Sequence, residues 1–145
     1  MAYQHILVPV DGSDIALNVV SHVVALAQAF QSKVSVVQVM TLDPYIASEY
    51  LSKSQSNEII ERARGFIVEN LDKAKAQFSQ QGIEVETRLL EGESIHRSIL
   101  QAVEQLNVDL VVMSSHGRSG IKKLLMGNVA QSLMSEVTVP VLVIR

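Results

Sequence analysis

Leu110-Val111-Val112-Met113-Ser114 runs without a break into Ser115-His116-Gly117-Arg118-Ser119-Gly120-Ile121-Lys122-Lys123-Leu124-Leu125-Met126-Gly127-Asn128. A short, continuously apolar run that ends in a glycine-punctuated loop is how a strand buried on both faces of a parallel sheet hands the chain to a following helix. Glycines at 117, 120 and 127 allow sharp turns and close approach of peptide N–H groups to an anion. A helix beginning near Asn128 adds its unpaired N-terminal donors. Arg118, Lys122 and Lys123 make the loop basic, and no acidic residue lies between Asp109 and Glu136. The stretch reads as a phosphate-binding loop. A solvated loop with ordinary helix capping competes with that reading, because short glycine spacings recur by chance.

Outward from this stretch the same pattern repeats. Strands are expected near Ile6–Val10, Val34–Val39, Glu84–Leu90, Leu110–Ser114 and Val139–Ile144. Between them fall helical stripes: Ala16, Leu17, Val20, Val24 and Ala27; then Ile59, Ala63, Phe66, Ile67, Leu71, Ala74 and Phe78. Ile95, Ile99, Val103 and Leu106 mark a third helix, and Val129, Leu133 and Val137 a short fourth. Ser13 or Asp14, Ser94 and Asn128 are placed to cap the first, third and fourth. Strands alternating with helices predict an α/β fold: one domain over residues 1–145, an open five-stranded parallel sheet with helices on both faces. Thr41 to Ser56, with Asp43-Pro44, scattered serines and weak periodicity, is long for a connection and reads either as a flap or as a surface excursion.

Composition narrows the function classes. A chain of 145 residues suffices for one core without disulfides or metal, and the absence of cysteine excludes disulfides and cysteine-ligated zinc. Met1-Ala2-Tyr3-Gln4-His5 leads directly into the first strand without a basic or signal-length apolar segment. No apolar run approaches the roughly 20 residues of a membrane span. A cytoplasmic protein is expected, with no membrane span. A net charge of -3 and an aromatic content of 4% argue against a nucleic-acid surface and point to a small anionic ligand.

Pro9-Val10-Asp11-Gly12-Ser13 lies where the first strand meets the first helix, on the sheet edge where ligands of parallel α/β folds collect. Asp11 there can accept hydrogen bonds from a ribose hydroxyl or assist a metal, or it can simply form the turn and cap the helix. If the first and fourth strands are neighbours, Asp11 and Gly117 face one pocket. The G-x-x-x-x-G-K-[ST] loop is absent, and Gly117-x-x-Gly120 lacks the first two glycines of a dinucleotide fingerprint. Histidine as a residue type invites an acid–base reading of His116, but no nucleophile or orienting acid stands near it in sequence, so a backbone contact is the better reading. His5, His22 and His96 have no metal-ligand spacing.

The chain closely resembles the universal stress protein family. The likeness rests on I-L-V-P-V-D-G-S at the start, Val37-Gln38-Val39, the H-G-R-S-G core and the closing V-P-V-L-V-I-R. Nucleotide-binding members carry glycine, two residues, glycine, nine residues, then glycine and serine or threonine; the matching positions are Ser114, Gly117, Gly127 and Asn128. The resemblance implies a Rossmann-like, adenine nucleotide alpha hydrolase-like fold and a site for ATP or AMP, with magnesium reached through the phosphates. By position Asp11 meets the ribose, Val39 presents its backbone to the adenine, and Pro9 and Val10 line the wall. Ser114, His116, Gly117, Arg118, Gly127, Asn128 and Val129 complete the site around the phosphates. Ser114 replaces a glycine and Asn128 a hydroxyl residue, departures expected to tune affinity. The resemblance further implies a homodimer through Val139 to Ile144 and an unidentified protein partner in stress signalling. Slow magnesium-dependent ATP hydrolysis and a dimeric module without nucleotide are the alternatives.

Overall fold

The computed structural model describes residues 2–12, 15, 17–41, 53–114 and 124–145, and of 53–56, 124–128 and 130 the backbone alone. Among them strands and helices alternate as β1 (His5–Val10), α1 (Leu17–Phe30), β2 (Lys33–Thr41), α2 (Lys53–Gln80), β3 (Glu86–Gly92), α3 (Ile95–Gln105), β4 (Leu110–Ser114), α4 (Leu124–Glu136) and β5 (Val141–Ile144). The sheet order is β3-β2-β1-β4-β5, and every neighbouring pair is parallel. The open α/β sheet expected from the alternation is present, with β1 at its centre and β4 beside it.

Period-two alternation sends successive strand residues to opposite faces, and both faces are covered. Ile6, Val8, Val34, Val36 and Val112 pack with Val20, Val23 and Val24 of α1 and Leu71 and Phe78 of α2. Leu7, Val37, Val111 and Met113 pack on the other face with Ile99, Ala102 and Val103 of α3 and Leu133 of α4. The helical stripes are those expected, with corrections at their edges. Leu17, Ile59, Phe66 and Ile95 are exposed, because α1 centres its buried face on Val19, Val20 and Val23, α2 on Ile67, Leu71 and Ala74, and α3 on Ile99, Ala102 and Val103, while Ala16 lies outside the described residues.

Element boundaries also move: β2 runs on to Thr41, and α2 begins at Lys53, inside the stretch read as a connection. β3 starts at Glu86, where its register with β2 begins at Ser35↔Glu86. β5 starts at Val141; Pro140 has no N–H to donate, although its carbonyl accepts from Val111 N at 3.0 Å. α4 starts at Leu124, so Asn128 lies inside the helix instead of capping it, since the strong helix formers Leu124-Leu125-Met126 carry the helix upstream. Ser94 caps α3 as expected, its Oγ accepting from Arg97 N. Ser13 and Asp14, most of the 41–56 connection and the 115–123 loop lie outside the described residues.

Helices α1, α2 and α3 end by one device. The residue after the last turn is left-handed (Gln31 at φ 54°, Gly82 at 92°, Asn107 at 53°), and the next amide reaches back five residues. Those bonds run from Ser32 N to Ala27 O, Ile83 N to Phe78 O and Val108 N to Val103 O. They satisfy carbonyls that a helix end leaves orphaned.

Polar groups pin the strand starts. The Asp109 carboxylate accepts from Gln4 N at 2.8 Å and His5 N at 3.0 Å, tying the entry of β1 to that of β4. The buried His5 ring lies 2.9 Å from Leu106 O through Nδ1 and 2.8 Å from Ser35 Oγ through Nε2. Because a carbonyl only accepts, Nδ1 carries the proton and Ser35 donates to Nε2. This pair is structural: both residues are buried, toward the end of the strands opposite their carboxyl ends.

Candidate functional site

The sheet order reverses at β1, with β2 and β3 to one side and β4 and β5 to the other. Strands that wind away from each other leave a crevice at their carboxyl ends. One residue widens it. Along β1 the even residues bond β2, as Gln4 O does with Lys33 N, and the odd residues bond β4, as His5 O does with Asp109 N. The next odd donor after Leu7 belongs to Pro9, which has no N–H. Accordingly the β1–β4 register stops at Leu7↔Val111, while β1–β2 continues to Val10↔Gln38.

The crevice holds a slot of about 120 Å³. Pro9, Val10 and Asp11 of the β1 end, Val37, Gln38, Val39 and Thr41 of β2, Ile95 and Ile99 of α3, and Val129 of α4 line it. The described walls are apolar, and among the described residues the polar side chains on this face are Asp11 and Thr41. Gly12, at φ 97°, makes the left-handed turn that carries the chain out of β1 immediately after Asp11.

Of the residues expected at the site, Pro9, Val10, Asp11, Val39 and Val129 meet around this slot. Ser114 closes β4, half-buried and in strand conformation, so its Cβ meets no left-handed backbone. Gly127 and Asn128 lie in the first two turns of α4. His116, Gly117 and Arg118 lie outside the described residues. Thr41, Ile95 and Ile99 were missed by sequence reasoning. Both isoleucines carry the period of a core stripe, and nothing in that period distinguishes a wall of the core from a wall of a cleft.

A wider cleft of about 570 Å³ lies on the opposite side of the β2 end, lined by Gly12, Met40 and Thr41 and by Phe66, Ile67, Asn70 and Lys73 of α2. The buried Gln38 side chain points to it and accepts from Asn70 Nδ2 at 2.7 Å. Arg64 of α2 also reaches Glu91 of β3 at 2.8 Å, so α2 is fastened twice near the carboxyl ends of the strands. Among the described residues no group of three His, Cys, Asp or Glu side chains could hold a metal ion, and no helix is long and apolar enough to cross a membrane.

A five-stranded parallel sheet in this order, with its slot at the point of reversal, defines a Rossmann-like α/β protein. The model of the universal stress protein family matches residues 2–145, and the chain belongs to that family. Universal stress protein MJ0531 of Methanocaldococcus jannaschii is 31% identical over 144 residues, covering 99% of this chain and 82% of that protein. A universal stress protein solved in complex with cAMP shares the fold at a TM-score of 0.73 and 22% identity, covering 100% of this chain and 99% of that one. The Archaeoglobus fulgidus universal stress protein solved in complex with dAMP has a TM-score of 0.68 at 19% identity, each chain covered in full at 100%.

Proposed function

We propose that this protein binds an adenine nucleotide, ATP or AMP, at the crevice between β1 and β4. The observation that carries the reading is the apolar slot beside the place where Pro9 ends the β1–β4 ladder. An aromatic base suits the slot, Asp11 at its rim suits a ribose hydroxyl, and the glycine-rich loop after β4 suits the phosphates. The backbone of Val39 is the partner for the adenine edge. Two universal stress proteins of this fold are complexes with cAMP and with dAMP, both adenine nucleotides, which supports the same class of ligand here. Magnesium enters with the phosphates. Because Ser114 is in strand conformation, its Cβ introduces no left-handed strain, which favours a working site over a degenerate one.

The nucleotide sets the state in which the protein meets a partner in the cytoplasm during stress signalling, and any hydrolysis is slow. A homodimer through the β5 edge accompanies this function. Protein purified without denaturation and then denatured is expected to release ATP or AMP. Titration calorimetry with ATP and magnesium should give one site per chain, weakened at least about tenfold in Asp11→Ala by loss of charge-assisted hydrogen bonds. Absence of both ATP and AMP binding by the unsubstituted protein rejects the reading.

A further inference from the structure

Ile95 is an unusual occupant of its position. It is the first residue of α3, where polar side chains are ordinary, yet it is a large apolar residue that is 38% exposed. One turn on, Ile99 is 1% exposed and forms the slot floor, while Ile95 stands at the mouth of the same slot.

The start of α3 is also held firmly. Ser94 Oγ accepts from Arg97 N, and Ser98 Oγ donates to Ser94 O at 2.9 Å. Gly92 packs so closely on Ser98 that a Cβ there would strike Ser98 Oγ. A backbone fixed from both sides presents Ile95 at a set height above the slot.

The walls select the shape of what enters. Pro9, Val37, Val39 and Val129 offer apolar surface, and Asp11 and Thr41 stand at the rim. A sugar or a peptide carries polar groups on its faces, which burial against isoleucine and valine would strip of hydrogen bonds. A planar heterocycle carries them on its edge, leaving both faces free for apolar contact.

Resting on the nucleotide reading above, we propose that Ile95 is the specificity-determining residue of the base subsite, a fixed clamp that closes over a planar purine and discriminates ligands with a base from ligands without one. The test compares ATP with inorganic triphosphate, by calorimetry and by competition, in the unsubstituted protein, Ile95→Ala, Ile95→Val and the distant exposed Ile59→Ala. Ile95→Ala should weaken ATP about fivefold to tenfold by removing apolar contact, while triphosphate binding stays unchanged. Ile95→Val and Ile59→Ala should leave ATP within about twofold, and thermal unfolding of nucleotide-free Ile95→Ala should match that of the unsubstituted protein because the side chain is exposed there. Unchanged ATP affinity in Ile95→Ala, or equal weakening of ATP and triphosphate, overturns the clamp while leaving the nucleotide reading standing. Failure of the unsubstituted protein to bind ATP or AMP removes both.

Discussion

Pro9 shows how one residue can shape a site without touching chemistry. A proline in a central strand normally costs a ladder hydrogen bond. Here the missing donor is the one that would face β4, so the loss falls at the crevice and leaves the pairing with β2 whole. Pro9→Ala supplies that donor and should let the ladder grow toward Ser114. The new amide at position 9 is expected to exchange slowly with solvent deuterium, and ATP affinity to fall about threefold to tenfold as the strands draw together. Fast exchange at that amide would mean that proline does not set the opening. Asp11 was legible at the crevice because its chemistry is local, a carboxylate where a strand turns into a helix; Pro9 entered only as a wall residue that the family resemblance implied, and its effect on the ladder shows only once β4 lies beside β1. Gln38 was not legible, since its role depends on Asn70, distant in sequence and close only after α2 packs on β2.

At the scale of elements, strand and helix placement followed from periodicity, and the boundaries moved where hydrogen bonding overrides it. β5 waits for Pro140 to pass, and α4 begins before its expected cap because leucine and methionine favour helix. The helix ends illustrate the limit of pattern reading. Gly82 and Asn107 are residues that accept left-handed backbone, whereas Gln31 adopts it at φ 54° with nothing in its type to announce it. The cause lies in the connection: α1 ends at Phe30 and β2 begins at Lys33, so the chain must reverse within two residues. Gln31→Gly should therefore stabilise the fold by about 0.5–1 kcal/mol, measured by urea denaturation, by removing Cβ strain at that turn. A loss of stability would show that entropy gained by the unfolded chain outweighs the strain.

For the molecule as a whole, the sheet has a closed interior and two edges, and the β5 edge is the short one. Val111 N donates to Pro140 O, so along β5 the amides of Leu142 and Ile144 face β4 and those of Val141 and Val143 face outward. Val143→Pro removes an outward donor and no bond to β4. If copies of the chain associate through this edge, sedimentation velocity should show the substituted protein as a monomer, with at least about a tenfold weaker dimer. A dimer of unchanged strength places the association elsewhere. The central position of β1 has a separate consequence, for synthesis. Its partner on one side, β2, follows within thirty residues, but its partner on the other, β4, begins only at Leu110. At a translation rate of about 5–20 residues per second, the intervening hundred residues take roughly 5–20 s to make. Throughout that interval the nascent chain carries the open flank of its central, buried strand, so it is on the ribosome that this fold has most need of a chaperone.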